Sequence, residues 1–414
     1  MDIQKLTNTN RFDALVYMEN RINSGSLSGF SGDQKVLGEF AAGRLTPFSI
    51  PIVEGTKRII NFYHETCDHN HFIDKNLIPI HPLFLQILQN SKDDYSNVRV
   101  IDSIDAFVTA SGRTVIAKKR DTVHFLKLHF PGVLGRVNRH IPLRKGFAGV
   151  EVSTLVSKHI KSRELGMIGL LPEIKCVGIE AEDNSIDEGS WAYIDRCGTI
   201  TTQNGNDEES VLIPAFSLLA PDPDEKEFPT ILEQLCIICS IDTLDKFRDV
   251  FIQPLLEAYL KLTFIFGLMP EINAQNLLYA YKQDINIIYP VLRDMGRVEK
   301  LPYINELVGT LQSCPYKTNT LDLPDDYAKT RHSFSFDFKL CGYVIIPLLK
   351  AFCKYKNIDF YEAKDQLSKY GGILLDEHAN VRDYLPRERF IKGHPKQLLT
   401  QDRPYIDCGY PHIN

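Results

Sequence analysis

A predicted hairpin in the second half of the chain has polar residues at both ends that could hold a metal ion and a nucleotide phosphate. The segment 271–276 (EINAQN) leads into an apolar run, a turn at 282–284 and a second apolar run followed by Asp294. The two runs predict paired strands, which would bring Asn276 and Asp294 to the same end of the hairpin. The oxygens of Glu271, Asn276 and Asp294 suit Mg²⁺ better than zinc, although such residues are also common in ordinary turns.

A second polar cluster lies upstream, at a turn and on the strand that follows it. The turn is Ser111-Gly-Arg113-Thr114, and the alternating segment 123–130 (VHFLKLHF) predicts a strand in which Lys127 projects from the face opposite the apolar residues. Further basic residues follow, namely Arg136, Arg139, His140, Arg144 and Lys145. Hydroxyl groups, Arg and Lys are the donors that bind a triphosphate, whereas a basic run by itself is typical of a solvated surface.

At these positions the sequence resembles the synthetases that build siderophores without a nonribosomal peptide template (NIS synthetases), of the aerobactin-synthetase type. Several segments follow the order found in that family: 78–82 (IPIHP), 111–114 (SGRT), Lys127, Arg139, 271–276 (EINAQN), 293–294 (RD), 396–399 (KQLL) and Arg403. Two positions differ, because the family usually has His at the position of Asn273 and a hydroxyl residue at that of Gly135. The chain is also short for the family in its amino-terminal part.

The resemblance implies a ligase that uses ATP and Mg²⁺. A carboxylate of a citrate-like acid would attack the α-phosphate of ATP and release pyrophosphate, and an amine or alcohol would then capture the acyl adenylate. Arg113, Lys127 and Arg139 would stabilise the developing negative charge. The implied ATP contacts are Ser111, Arg113, Thr114, Lys127, Arg139, Asn273, Gln275 and Asn276. The implied acid contacts are His81 and Arg139, and the implied Mg²⁺ ligands are Glu271, Asn276 and Asp294.

The residues alone leave alternatives open. A His-Pro pair is often only a rigid turn, so His81 could brace the lobe junction instead of binding the acid. Kinase folds also use an Asn and a later Asp to hold metal ions, although this sequence has neither a G-x-G-x-x-G loop nor an H-R-D motif. A degenerate relative that binds ATP or a partner without turnover is a third interpretation, since Asn273 cannot carry a positive charge and Gly135 supplies no hydroxyl.

The composition argues against several other classes of protein. A net charge of −6 and the absence of a basic tail or zinc-finger spacing argue against nucleic-acid binding. The amino terminus lacks the apolar core of a signal peptide, and the apolar segments near 258–269 and 343–352 are too short to span a bilayer. Nine cysteines without a paired pattern indicate free thiols in a reducing compartment. We therefore expect a cytoplasmic protein without membrane contact, and the family resemblance implies that it is an enzyme with small-molecule partners. A homodimer stays open, because family members often form dimers.

Two clusters have the residue types of a metal site. They are His64, Cys67, His69 and His71 in one segment, and the C-x-x-C pair Cys236 and Cys239 in another. The first lacks the second half of a structural zinc site, and the second lies in an apolar run, as buried structural thiols do. We therefore interpret the first as a polar loop and the second as core, and assign neither a catalytic role.

The element pattern predicts an α+β protein of three lobes, 1–97, 98–225 and 226–414. The first would contain a helix near 10–22 and further short helices up to Pro79. The second has β-branched runs and Gly turns, typical of a mostly antiparallel sheet. The third follows an acidic, proline-rich linker, is predicted to be mainly helical and carries the hairpin.

Within the third lobe, Ser240 or Asp242 is predicted to cap a helix and Pro254 to open the next one. Members of the family resemble a cupped hand with thumb, fingers and palm, and the three lobes correspond to those parts. A nucleotide between Lys127 and Asp294 would then lie at a lobe boundary, where ligand sites are common.

Overall fold

The computed structural model places helices at both ends of the described chain and strands between them. It describes residues 3–20, 45–54, 59–63, 72–73, 77–90, 99–130, 132–134, 137–180, 189–220, 228–311, 313, 331–378 and 380–385. The helices are α1 (Ile3–Thr7), α2 (Arg11–Asn20), α3 (Pro82–Asn90), α4 (Leu143–Lys161), α5 (Ala215–Leu218), α6 (Ile231–Ile238), α7 (Leu244–Phe247), α8 (Gln253–Phe264), α9 (Ile346–Lys356), α10 (Phe360–Glu377) and α11 (Val381–Tyr384). Among the helices described, none is long and apolar enough to cross a membrane.

Helical segments of other types and the strands complete the element list. The π-helical segments are Arg248–Ile252 and Phe334–Ile345, and the 3₁₀ segments are Met295–Arg297 and Glu306–Thr310. The strands are β1 (Phe48–Glu54), β2 (Ile59–Tyr63), β3 (Leu77–Pro79), β4 (Arg99–Val108), β5 (Thr114–Lys119), β6 (Thr122–Lys127), β7 (Val133–Leu134), β8 (Val137–Asn138), β9 (Gly169–Leu170), β10 (Glu173–Ile179), β11 (Trp191–Cys197), β12 (Ile200–Thr202), β13 (Gly205–Asp207), β14 (Val211–Pro214), β15 (Leu268–Met269), β16 (Leu277–Lys282), β17 (Ile287–Leu292) and β18 (Glu299–Lys300).

The larger sheet has eight strands in the order β2-β10-β11-β6-β5-β4-β1-β3. Its neighbouring strands are all antiparallel. Every residue of β10 and β11 is buried, because helix α4 packs on one face and an apolar cluster around Val177 and Tyr193 fills the other. The predicted α+β class and antiparallel sheet are confirmed.

The smaller sheet has six strands in the order β13-β12-β9-β17-β16-β14. Strands β16 and β17 form the predicted hairpin, with Leu277 opposite Leu292 and Lys282 opposite Ile287. The turn comprises residues 283–286, so it begins one residue later and ends two residues later than the predicted turn at 282–284. Ile285 lies in this turn with 55% of its surface exposed, which shows that apolar character alone does not assign a residue to a strand.

The amino-terminal region departs from the sequence prediction. Helix α2 lies where a helix was predicted, but in the described residues between 45 and 79 the expected short helices are wrong, since β1, β2 and β3 lie there. These strands pair with β4 and β10, so the larger sheet crosses the predicted lobe boundary at 97/98. The division into three lobes remains a prediction.

The second half of the described chain is mainly helical around the hairpin. Thr243 caps helix α7 by accepting a hydrogen bond from the Lys246 backbone N–H at 3.3 Å, so the predicted caps Ser240 and Asp242 were wrong by one to three positions. Pro254 lies in the first turn of α8, as predicted. The π-helical segment before it continues the helix, so the proline opens α8 without a break in the helical run.

Several predicted features lie outside the described residues. They are the cluster His64, Cys67, His69 and His71, the departing position Gly135, the linker residues 221–227, and the closing segment with Lys396 and Arg403. Cys236 and Cys239 are described as free thiols, the first buried and the second partly buried, in agreement with the structural interpretation.

Candidate active site

Strand register in the larger sheet places four polar side chains on one face. Thr114 lies opposite Lys127, and Arg196 lies opposite both Phe125 and Glu173. Because side chains alternate between the faces of a sheet, Phe125 shares a face with Lys127. Thr114, Lys127, Arg196 and Glu173 therefore come to the same face from four neighbouring strands.

The hairpin of the smaller sheet brings the second half of the site. The Arg293 backbone N–H donates to the Asn276 carbonyl at 3.1 Å, which closes the open end of the hairpin. Asp294 follows in the left-handed region, with φ 70°, a conformation that Asp tolerates better than most residues. Asp294 thus lies at the same end of the hairpin as Asn276, which confirms the prediction. From this position its carboxylate pairs with Lys127.

One cavity collects most of the predicted residues. Its lining residues are Thr109, Ser111, Arg113, Thr114, Lys127, Arg139, Arg196, Gln275, Asn276, Arg293 and Asp294. The predicted residues Asn273, Glu271 and His81 do not line it. The cavity therefore combines hydroxyl groups and amides with five cationic side chains and one carboxylate.

Hydrogen bonds fix the shape of the loop 109–114. The Ser111 hydroxyl accepts the Thr114 N–H at 2.9 Å, and the Thr109 hydroxyl contacts both the Ser111 hydroxyl at 3.1 Å and the Thr114 carbonyl at 2.9 Å. Gly112 has φ 72°, which glycine adopts without strain. The Arg113 guanidinium donates to the Arg139 carbonyl, so the loop orients two buried arginines together.

Lys127, Arg196, Glu173 and Asp294 form a four-charge cluster at the cavity wall. The Lys127 ammonium pairs with Asp294, and Arg196 Nη2 lies 2.9 Å from Glu173 Oε1. The remaining cross pairs are longer, at 4.0 Å from Lys127 to Glu173 and 3.7 Å from Arg196 to Asp294. Glu173 is fully buried, whereas Asp294 keeps 17% of its side chain exposed, so Asp294 is the carboxylate that a ligand can reach.

Burial perturbs the charged groups around the cavity. It lowers the pKa of Lys127 to about 8, with Asp294 and Glu173 acting against the shift. Burial and then the Arg139 charge lower the pKa of Arg113 to about 9. Burial alone would raise the pKa of Asp294, but the charges of Lys127 and Arg196 hold it well below its ordinary value. Poorly solvated cations of this kind gain from an anionic ligand, which favours their charged form.

Glu271 and Asn273 take part in local structure. The Asn273 side-chain oxygen accepts the N–H groups of Gln275 at 2.9 Å and Asn276 at 3.0 Å, which shapes the turn before β16. The Glu271 carboxylate pairs with Lys339, and its carbonyl accepts the Asn276 amide at 3.0 Å. Asn273 thus shapes the turn that carries Asn276 to the cavity. The Glu271 carboxylate is already paired with Lys339.

Asp294 and Asn276 fit the few protein ligands that a nucleotide-bound Mg²⁺ requires. Within the described residues, no group of three or more His, Cys, Asp or Glu could hold a metal by itself. Mg²⁺ commonly uses one or two carboxylates together with substrate phosphates and water. Both residues line the cavity, so this donor set suits a metal delivered with a nucleotide better than a resident ion.

Comparison with solved structures decides the fold. The ATP-bound aerobactin synthetase IucA from Klebsiella pneumoniae is similar over 81% of this chain and 62% of its own length, with TM-score 0.57 and 12% identity. Aerobactin synthetase IucC from the same organism covers 93% of this chain and 73% of its own, with TM-score 0.62 and 14% identity. The petrobactin biosynthesis protein AsbB from Bacillus anthracis covers 89% and 68%, with TM-score 0.66 and 14% identity. The chain has the aerobactin-synthetase fold.

The predicted resemblance is thereby confirmed at the level of fold. No protein-family model and no curated protein sequence matches the chain. It spans about 62% of the ATP-bound IucA chain and about 70% of the chain in a second IucA structure. At this low identity the comparisons show the fold alone, so any inference about activity must come from the residues of this chain.

Sequence reasoning missed Glu173, Arg196 and Thr109 in this aerobactin-synthetase fold. Glu173 and Arg196 are charged residues in fully buried strands that also contain the charged residues Lys175 and Asp195, and buried charges normally require a partner. That signal could have marked them as a pair. Thr109 lies two residues before the predicted loop, and only the hydrogen bonds of the loop reveal it.

His81 and His129 are buried beside the loop that carries Arg113. Backbone N–H groups donate to their Nδ1 atoms, from Leu83 to His81 at 3.2 Å and from Ile141 to His129 at 3.3 Å. An Nδ1 atom that accepts a hydrogen bond carries no proton, so both rings are neutral. These contacts support the bracing role for His81, while its contact with an acid remains a prediction.

Acid is therefore expected to destabilise the protein through these two rings. Burial lowers the pKa of His81 to about 4, and burial followed by the His140 charge lowers that of His129 to about 3. Because the folded pKa lies below the ordinary 6.5, the full stability is present above pH 6.5 and is lost as pH falls. Between pH 7 and pH 5, each ring should remove about 2 kcal/mol from the free energy of unfolding.

Urea unfolding at both pH values measures this loss. The variant with His81→Gln and His129→Gln should be less stable at pH 7 but should lose about 4 kcal/mol less than the parent between pH 7 and pH 5. Equal losses in the two proteins would show that other groups cause the acid sensitivity.

Gly149 gives Glu173 its space on the inner side of helix α4. A Cβ atom at this position would lie 2.1 Å from Glu173 Oε2. Gly149→Ala is therefore expected to destabilise the protein by about 1 to 3 kcal/mol through overpacking, although alanine normally favours a helix.

The matched control is Gly342→Ala, whose Cβ would meet its nearest atom at an ordinary 3.5 Å. Free energies of unfolding in urea should fall for the first variant and stay equal or rise for the second. A neutral Gly149→Ala would mean that Glu173 can move aside without cost.

Proposed function

We propose that the chain is an ATP-dependent ligase that activates a citrate-like carboxylic acid as an acyl adenylate and joins it to an amine or alcohol. The observation that carries this proposal is the cavity in which Ser111, Arg113, Lys127, Asn276 and Asp294 meet. Their side chains are of the types that bind a nucleoside triphosphate with Mg²⁺. The surrounding fold is that of synthetases, one of them solved with ATP bound. Siderophore-type products and a cytoplasmic location are part of the proposal.

The first step places negative charge around the α-phosphorus. An oxygen of the acid would attack that phosphorus while the bond to the bridging oxygen breaks and pyrophosphate leaves. Arg113, Lys127 and Arg139 would contact the phosphate oxygens and stabilise this charge by position, without covalent chemistry. The hydroxyls of Ser111 and Thr114 would hold the triphosphate by hydrogen bonds.

Asp294 and Asn276 would hold Mg²⁺, which when bound neutralises phosphate charge and orients the triphosphate. For this, Asp294 must release Lys127, whose ammonium then turns to a phosphate oxygen. Glu271 would join the metal only if its pair with Lys339 opened.

The second step needs mainly position. The nitrogen or oxygen of the nucleophile would attack the acyl carbon, AMP would leave with the bonding electron pair, and the nucleophile would release its proton to solvent. The adenylate is already reactive, so holding the nucleophile within reach can suffice. Arg139 and His81 are our proposed contacts for the remaining carboxylates of the acid. The alternative role of His81 is to brace the structure without touching the acid.

The deciding experiment measures AMP and pyrophosphate release from Mg²⁺ and ATP with a panel of citrate-like acids, using hydroxylamine as a general nucleophile. Acid-dependent AMP formation is the expected result and would identify the first substrate. ADP in place of AMP would favour γ-phosphate transfer, and ATP binding without turnover would favour a degenerate binding protein. Either of these outcomes would overturn the ligase proposal.

A further inference from the structure

Glu173 is the member of the four-charge cluster that no ligand can reach. It is fully buried, pairs with Arg196 at 2.9 Å and accepts the Gly296 N–H at 3.0 Å. Gly296 lies two residues after Asp294, so this hydrogen bond holds the turn that positions the partly exposed Asp294 carboxylate. The two carboxylates of the cluster thus differ in role, because one faces the cavity and the other lies behind it.

The distances show what Glu173 prevents. Arg196 Nη2 lies only 3.7 Å from Asp294 Oδ1, against 2.9 Å from Glu173. Without the Glu173 charge, Arg196 would have Asp294 as its nearest carboxylate, and Asp294 would be held by two buried cations. A buried cation without a counterion is strongly disfavoured, so this exchange of partners is expected.

We propose that Glu173 is a positioning residue that keeps Arg196 away from Asp294, so that Asp294 can leave Lys127 and bind the Mg²⁺ of an incoming nucleotide. The inference rests on the proposed function and adds a residue that acts through Arg196 without touching the nucleotide. Its specific consequence concerns the dependence of ATP binding on Mg²⁺, which a purely structural role would not change selectively.

Glu173→Gln tests this proposal with little change in shape. The glutamine oxygen can still accept the Gly296 N–H, while the negative charge is lost. Binding of ATP is measured by titration calorimetry in EDTA and in MgCl₂, and the ratio of the two Kd values is the readout. In EDTA the variant should bind ATP as tightly as the parent or more tightly, because the site has gained a net positive charge. The ratio of the Kd in EDTA to the Kd in MgCl₂ should be about tenfold or more smaller in the variant than in the parent, within the usual range of coupling between sites.

A double variant separates the action through Arg196 from other effects. Glu173→Gln with Arg196→Gln removes the cation together with its counterion and leaves Lys127 and Asp294 as a pair. The Mg²⁺ effect should return to within about twofold of the parent, the usual error of additive effects. No recovery in the double variant, or equal changes of Kd with and without Mg²⁺ in the single variant, would overturn the proposal.

Two controls keep this test distinct from the test of function. A parent protein that binds no ATP refutes the proposed function, whereas a parent that binds it and a Glu173→Gln variant with the same Mg²⁺ effect refutes only this inference. Circular dichroism checks the fold of each variant. Where Glu173→Gln does not fold, Arg196→Gln alone carries the test, because it should preserve or increase the Mg²⁺ effect and a decrease would contradict the inference.

Discussion

Replacing Lys127 with methionine should lower the rate of acid-dependent AMP formation by about a hundredfold or more, since one preorganised charge contact is typically worth about 3 to 4 kcal/mol in the transition state. Lys127 is the cation at the end of β6 that faces the cavity, and its pair with Asp294 holds it beside the predicted phosphate position. Methionine fills a similar volume and removes only the charge and its hydrogen bonds.

The matched control is Lys118→Met on the neighbouring strand β5. Lys118 is exposed and lies away from the cavity, so its loss should leave the rate within about twofold. Both proteins are assayed for AMP and pyrophosphate at saturating ATP, after comparison of their circular dichroism. A Lys127→Met protein that retains the parent rate would remove Lys127 from the proposed catalytic set.

The second large effect concerns stability, where Arg293→Met should cost about 3 to 5 kcal/mol, as expected when one partner of a buried ion pair is removed. The Arg293 guanidinium pairs with Glu19 of helix α2, which is fully buried, and its Nε donates to the Gln275 carbonyl at 2.7 Å. The variant leaves the Glu19 charge buried without a cation. Urea unfolding at pH 7 measures the loss.

Two further variants identify its cause. Adding Glu19→Met to Arg293→Met should recover most of the lost stability, because apolar residues of similar volume often replace a buried pair at little cost. Arg248→Met, at an ion pair whose arginine side chain is 26% exposed, should cost less than about 1 kcal/mol. If the double variant is as unstable as the single one, the uncompensated charge of Glu19 does not explain the loss.

The sequence predicted the parts of the site that depend on local patterns. Alternation of apolar residues around Lys127 assigned it to one face of a strand, and the two apolar runs before Asp294 assigned it to the end of a hairpin. Neither inference needed distant residues, because side-chain direction in a strand and strand pairing across a short turn are local properties.

The features that the sequence did not predict depend on contacts between segments far apart in the chain. Glu173 faces Lys127 only through the order of strands β10, β11 and β6, and Glu19 meets Arg293 across more than 270 residues of sequence. Sheet order of this kind is set by long-range packing that one sequence does not display. The strands β1, β2 and β3 were not predicted for the same reason, since short strands that join a distant sheet carry weak local patterns.

The cavity joins two separate sheets, with Lys127 and Arg196 from the larger one and Asn276 and Asp294 at the end of the hairpin in the smaller one. A ligand in contact with both would act as a reversible cross-link between them. Local opening of either sheet at this edge would have to break ligand contacts first. Amide hydrogen exchange should therefore slow together at the ends of β6 and β17 when nucleotide is added, so that two regions far apart in sequence behave as one cooperative unit.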